Sequence, residues 1–262
     1  MDENTYLIDY YSRGLEHGRI ASNRALEFIT SMRYIERYLK KGDRILDVGA
    51  ATGRYSHALA LMGHQVDALE LVELNIDIFK KNTQPSENVT IRQGNAMDLS
   101  AFCDDTYNIT LIFGPMYHLF AVEDKNKVIE EAMRVTKSGG LIYIAYCMTD
   151  CSIIDSGFFR KKFDIFDFIE KGYIDRETFA ARSEPALIFE LVRKEDIDAL
   201  IAPYPLTRLH FVAVDGYLGN RFQVEEMDDK YFALFRDYHF ATCERADMVG
   251  LSAHTLDILR KD

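Results

Sequence analysis

The sequence predicts an α/β fold: a three-layer, doubly wound, mostly parallel seven-stranded sheet with an antiparallel final strand, plus helical cap and lid insertions. Three observations predict it. Short apolar runs alternate with helical patterns from Arg44 to Cys147, a loop of small residues joins the first run to the first helix, and the runs Ile109–Phe113 and Leu141–Ala145 are almost wholly apolar. Alternation at this spacing builds a parallel sheet with helices on both faces. Strands covered on both faces lose the in–out pattern of a half-solvated sheet.

Before that core, Ile20, Leu26, Ile29, Met32, Ile35 and Leu39 fall on roughly one side of a helix within residues 14–40, and Lys40-Lys41-Gly42-Asp43 stops the run. Residues 1–40 read as an N-terminal helical cap. The core spans 41–150, with strands at Arg44–Val48, Gln65–Leu71, Val89–Arg92, Tyr107–Phe113 and Leu141–Cys147 and helices at His57–Met62, Leu74–Lys81 and Lys125–Val135. After Cys147 the rhythm breaks. Residues 151–187 are rich in aromatics, and Phe159, Phe163 and Phe166 share one helical face, as in a packed stripe or a lid over a pocket. Residues 188–262 complete the core: Leu206–Val214 and Ala253–Arg260 read as strands, separated by a helical insertion at about 217–240 whose helix starts near Val224.

Composition narrows the function classes. The 262 residues are 48% apolar and can bury a full core, while the net charge of −11 removes the counterion-release term that drives binding to a phosphate backbone. A nucleic-acid partner is not expected, and Arg160-Lys161-Lys162 reads as a solvated helix face. Cysteines 103, 147, 151 and 243 form no CxxC pair, and no His stands at ligand spacing from them, so neither a metal site nor a disulfide framework is indicated. They read as reduced thiols of a cytoplasmic protein. The acidic start MDENTYLIDYYSRG has no apolar signal core, and no run of 18 apolar residues occurs, so neither export nor membrane insertion is expected.

The stretch ILDVGAATGRY, Ile45 to Tyr55, carries the most chemistry. A glycine loop between a strand and a helix lets backbone approach a ligand closely, and two cofactor classes use it. A dinucleotide fingerprint G-x-G-x-x-G counted from Gly49 needs glycines where Ala51 and Arg54 stand. A nicotinamide-dependent oxidoreductase is therefore disfavoured. Counted instead as D-x-G-x-A-x-G through Asp47, Gly49, Ala51 and Gly53, with Ala50 between, the loop resembles motif I of the class I S-adenosylmethionine-dependent methyltransferases, Ala51 replacing the middle glycine. A carboxylate at Asp47 helps orient the cationic methionine end of such a cofactor and would repel a pyrophosphate.

Later segments resemble the same family in order. Glu70, with Leu71 beside it, ends the second strand about 20 residues on, where an acidic side chain accepts from ribose hydroxyls. Gly94-Asn95-Ala96-Met97-Asp98-Leu99 is similar to a G-D-A-x-D-L segment that brackets adenine; Asn95 replaces its Asp and still offers an acceptor, although an Asx turn also explains it. Phe113-Gly114-Pro115-Met116-Tyr117-His118 ends the fourth strand at the carboxyl edge of the sheet, where ligand crevices lie, and resembles L-G-x-L-Y-H-L. Arg134 to Gly140 is similar to the L-K-P-G-G turn before the fifth strand, with Ser138 for proline.

The resemblance covers residues 44–147 and implies S-adenosyl-L-methionine as cofactor, methyl transfer as the activity and a small-molecule oxygen or nitrogen acceptor. Such transfer is an in-line displacement governed by alignment and exclusion of water, with a base needed only for an acceptor that must lose a proton. His118 is the candidate base and Tyr117 the candidate orienter of the acceptor. Tyr10, Tyr11 and Arg19 of the cap are placed to fold over the cofactor, with Arg19 pairing its carboxylate. His254 is explained as a satisfied sheet histidine. Two alternatives stay open. An RNA or protein methyltransferase predicts a basic or open groove near Pro115, although Gly114 lacks the acceptor side chain that opens the N/D/S-P-P-Y/F motif of enzymes acting on bases or glutamine. A non-catalytic S-adenosylmethionine-binding regulator predicts a pocket with no acceptor site.

Overall fold

The computed structural model describes residues 3–13, 22, 24–216 and 224–262. Helices α1 (Glu3–Tyr11) and α2 (Leu26–Glu36) precede β1 (Arg44–Val48), α3 (Arg54–Leu61), β2 (Gln65–Glu70), α4 (Glu73–Asn82), β3 (Val89–Gln93) and β4 (Tyr107–Ile112). A 3-10 turn at Pro115–His118 leads to α5 (Val122–Val135), β5 (Thr136–Met148) and the short α6 (Thr149–Ser152), which runs into a π-helical turn at Ile153–Phe159. Then come α7 (Ile165–Glu170), β6 (Leu191–Val192), α8 (Lys194–Ile201), β7 (Leu206–Ala213), α9 (Asp229–Thr242) and β8 (His254–Lys261).

The strands lie in the order β3-β2-β1-β4-β5-β8-β7, and β8 runs antiparallel to both neighbours while the other pairs are parallel. This is the predicted seven-stranded sheet, to which the two-residue β6 adds a short parallel pairing with β5 at Cys147 and Met148. From β1 the chain winds outward to β3 and then returns to place β4 on the other side of β1. The reversal opens a crevice at the carboxyl ends of β1 and β4.

Alternation along each central strand supplies two cores. Ile45, Ile109, Leu111 and Tyr143 face α2 and α3 with Ile35 and Leu59, while Leu46, Ile112, Ile142 and Ile144 face α5 and α8 with Val128, Ile129, Ile197 and Ile201. Burial on both sides explains why these strands read as continuous apolar runs.

Several local expectations are corrected. The cap helix α2 ends at Glu36, before the Lys40–Asp43 stop, and Ile20 lies outside the described residues. The turn expected around Ser138 is absorbed into β5 as an irregularity, because the register with β4 shifts between Tyr107 and Ile109 and Gly139 takes φ +74°. Phe159, Phe163 and Phe166 do not share a helical face: Lys161 at φ +50° breaks the chain between the π-helical turn and α7, Phe163 stacks on Phe168, and Phe159 and Phe166 are exposed. Helix α8 was not anticipated, since eight residues with two buried isoleucines give too short a pattern.

Candidate functional site

The loop after β1 is shaped by two glycines. Gly49 has φ +77°, and a Cβ there would stand 2.7 Å from Pro115 Cδ; Gly53 has φ +92°, and a Cβ there would stand 2.4 Å from the Phe79 ring. Both positions need glycine for the backbone angle and for room. Ala51, in the place of the family's middle glycine, sits at φ +48°. The loop then spends its amides internally: those of Gly49 and Ala50 donate to the Leu69 carbonyl, that of Gly53 to the Ala50 carbonyl, and that of Ala51 to Glu70 Oε2 at 2.9 Å. With these four N–H groups occupied, the loop has few left to cradle a phosphate.

Beyond the loop lies a cavity of about 360 Å³ at the carboxyl edge of β1, β2 and β4. Of the residues singled out from the sequence, Asp47, Gly49, Ala50, Ala51, Glu70, Leu71, Asn95, Ala96, Met97, Phe113, Gly114, Tyr117, His118 and Tyr11 all line it. Gly53 shapes the loop without lining the cavity, and Arg19 falls outside the described residues. Among the lining residues none comes from 151–187.

Asp47 is buried at the end of β1 and accepts from the Ser56 hydroxyl at 2.6 Å. Burial pushes its carboxyl up to about 6, the Ser56 bond opposing and the nearby Glu70 charge adding. Glu70 is also buried, and its oxygens accept from the amides of Ala51 and Val72 and from Asn75 Nδ2 at 3.2 Å. Burial raises this carboxyl as well, against those bonds. Two buried carboxylates near enough for one to raise the other favour a cation beside them. Asn95 accepts from the Met97 amide at 2.9 Å, so the Asx turn is present; one Oδ1 lone pair and the side-chain amide hydrogens remain for a ligand.

At the opposite wall the 3-10 turn positions Tyr117 and His118. The Tyr117 hydroxyl donates to the Phe113 carbonyl at 2.6 Å, which ties it to the end of β4 and gives it a structural bond that sequence reasoning did not foresee. His118 Nδ1 lies 2.9 Å from the Ile188 carbonyl and Nε2 lies 2.9 Å from the Tyr11 hydroxyl. A carbonyl only accepts, so in the neutral ring Nδ1 carries the proton and Nε2 takes the Tyr11 hydrogen. The pair joins α1 to the core across the cavity.

Sequence reasoning missed Arg54, Asn75, Asp124 and Leu7 among the lining residues. Arg54 is the first residue of α3; its guanidinium stacks 4.1 Å from the Phe28 ring centroid and donates to the Ser22 carbonyl, and its buried Nε has no hydrogen-bond partner among the described residues. Burial lowers its basicity, so an anion beside it would be stabilising. Its signal was its place directly after Gly53. His254, dismissed from the sequence, bonds Asp215 at 2.9 Å and lies 6.3 Å, ring to ring, from Tyr117.

A profile of the methyltransferase domain family matches residues 45–140. A demethylmenaquinone methyltransferase of Clavibacter sepedonicus is 36% identical over 104 residues, 39% of this chain and 40% of that one. A ribosomal protein L11 methyltransferase of Syntrophomonas wolfei is 30% identical over 119 residues, 43% of this chain and 35% of that one. The chain thus spans about two fifths of the length of the curated relatives it matches. The fold is that of magnesium protoporphyrin IX methyltransferase from Synechocystis with bound SAH, with TM-score 0.62 at 11% identity and both chains covered in full. A SAM-dependent methyltransferase of Methanosarcina mazei superposes with TM-score 0.57 at 18% identity, covering 87% of this chain and 96% of that one. Residues 45–140 are thus similar to the methyltransferase domain family, and the strand order that frames them belongs to a fold shared with solved methyltransferases.

Proposed function

We propose that the protein is an S-adenosylmethionine-dependent methyltransferase acting on a small-molecule oxygen or nitrogen acceptor. The residues present fit the cofactor: acidic Asp47 and Glu70 suit its cationic methionine end and its ribose hydroxyls, and the unpartnered Nε of Arg54 suits its carboxylate. Arg54 is a second candidate for the role expected of Arg19, which lies outside the described residues. Asn95, Ala96 and Met97 supply the adenine wall, and Leu71, Phe113 and Gly114 the remaining sides. When bound, the cofactor supplies an electrophilic methyl group.

The chain's own residues align and dry the site. Tyr11 and Leu7 of α1 close over the cavity, and His118 Nε2 receives the acceptor's proton directly or through the Tyr11 hydroxyl. Tyr117 packs beside His118 with ring centroids 4.8 Å apart and offers its ring face to the acceptor. The observation that carries the small-acceptor reading is the Tyr11–His118 bond, because among the described residues α1 bridges the cavity and narrows the approach for a macromolecule. Its lining also holds Asp47, Glu70 and Asp124 against Arg54, the opposite of a basic groove.

The matched relatives include methyltransferases named for a small molecule and for a ribosomal protein, so acceptor size is what the experiment must separate. Incubating the protein with methyl-labelled S-adenosylmethionine and a cell extract, then separating by size, should place label in the low-molecular-weight fraction. Label confined to protein or RNA contradicts the reading.

A further inference from the structure

Ile188 has φ +70° and ψ −45°, and the Phe189 amide donates to the Leu187 carbonyl at 2.8 Å. This is the rarer, strained form of γ-turn, with a β-branched residue at its centre where glycine would be at ease. Such strain persists only where surrounding contacts over-determine it.

Three consecutive residues of this turn hold the His118 wall of the cavity. The Ile188 carbonyl accepts from His118 Nδ1, the Phe189 ring lies 5.3 Å from the His118 ring and 5.7 Å from that of Tyr10, and the Glu190 amide donates to the Tyr117 carbonyl at 2.8 Å. The turn is anchored in turn by Glu190, whose carboxylate meets Lys125 Nζ of α5 at 2.5 Å, with the two side chains 16% and 9% exposed. Burial raises the Glu190 carboxyl and the Lys125 charge opposes it. A buried ion pair adds little stability over an apolar pair of the same volume. Its value here lies in geometry, since the pairing of Leu191 and Val192 with β5 spans two residues only.

We propose that the strained turn at Ile188, clamped by the Lys125–Glu190 pair, is a positioning device that fixes His118 in its Nδ1–H tautomer and aims Nε2 at Tyr11 and the acceptor. Ile188, Glu190 and Lys125 do not line the cavity and act through His118. The inference rests on the reading of His118 as the base.

The test uses the full chain, 15N-histidine labelling and steady-state kinetics on the acceptor found by size separation. Wild type should show a single His118 tautomer protonated at Nδ1. Two variants loosen the turn: Lys125→Met/Glu190→Gln keeps volume while removing the ion pair, and Ile188→Gly removes the side chain from a backbone angle glycine tolerates. Each should mix the tautomers and lower kcat about tenfold, with S-adenosylmethionine affinity and the circular dichroism spectrum unchanged. A wild-type tautomer and wild-type kcat in whichever variant folds overturn the positioning role, as does a wild-type His118 protonated at Nε2. Unchanged kcat in His118→Asn would instead remove the base assignment itself, a separate failure.

Discussion

Asp47 separates this site from a nucleotide site by its charge, and that charge is costly in the free protein. Its carboxyl is held up to about 6 by burial against an ordinary value of 3.8. Between those values the folded state binds more protons than the unfolded one, so stability falls as pH rises through the window, and the effect vanishes below it. Asp47→Asn should therefore raise the stability of the free protein above pH 6 by on the order of 2 kcal/mol and flatten the dependence between about 4 and 6. The same change should weaken S-adenosylmethionine binding about tenfold. Chemical denaturation across pH, paired with calorimetry, checks both signs; equal loss of stability and affinity would mean that Asp47 serves the fold. At this scale the sequence was informative where a residue type has few uses. Gly49 and Asp47 were legible because backbone angle, space and charge each demand them. Arg54 was not, because an arginine at a helix start is ordinarily solvated, and only its stacking on Phe28 and its unpartnered Nε mark it.

Among the elements, α1 is short and lies against the cavity. It brings Leu7 and Tyr11 to the cavity and Tyr10 to Phe189, while the sheet and its two cores are complete without it. Removing residues 1–13 should leave the melting temperature within a few degrees and cofactor affinity within about tenfold, while methyl transfer falls about a hundredfold. A proportional loss of folding and activity would place α1 in the core. The central strands β4 and β5 were readable because continuous apolar runs such as Leu141–Ala145 are rare outside a covered sheet. What escaped was short or irregular: β6 has two residues, α8 eight, and the π-helical turn at Ile153–Phe159 has the composition of a helix without its period. The aromatic stretch 151–187 reads from its spacing as a packed stripe or a lid, and the shared helical face fails because Lys161 interrupts the helix.

For the whole molecule, strand order decides where chemistry happens. The reversal between β1 and β4 opens the crevice, and the loop after β1, the end of β2 and the turn after β4 converge on it from positions far apart in the chain. That convergence is why residues from partial motifs, taken in order along the sequence, line one cavity. The opposite wall depends on α1 and residues 188–190, whose contacts join residues 11, 118 and 188 and leave no periodic trace. The central claim is that the cavity holds S-adenosylmethionine. Isothermal titration of the full chain with S-adenosylmethionine and, separately, with NADH tests it most directly. One saturable site for S-adenosylmethionine, weakened in Asp47→Asn, and no heat with NADH is the predicted result; saturable binding of NADH with none of S-adenosylmethionine would contradict the account.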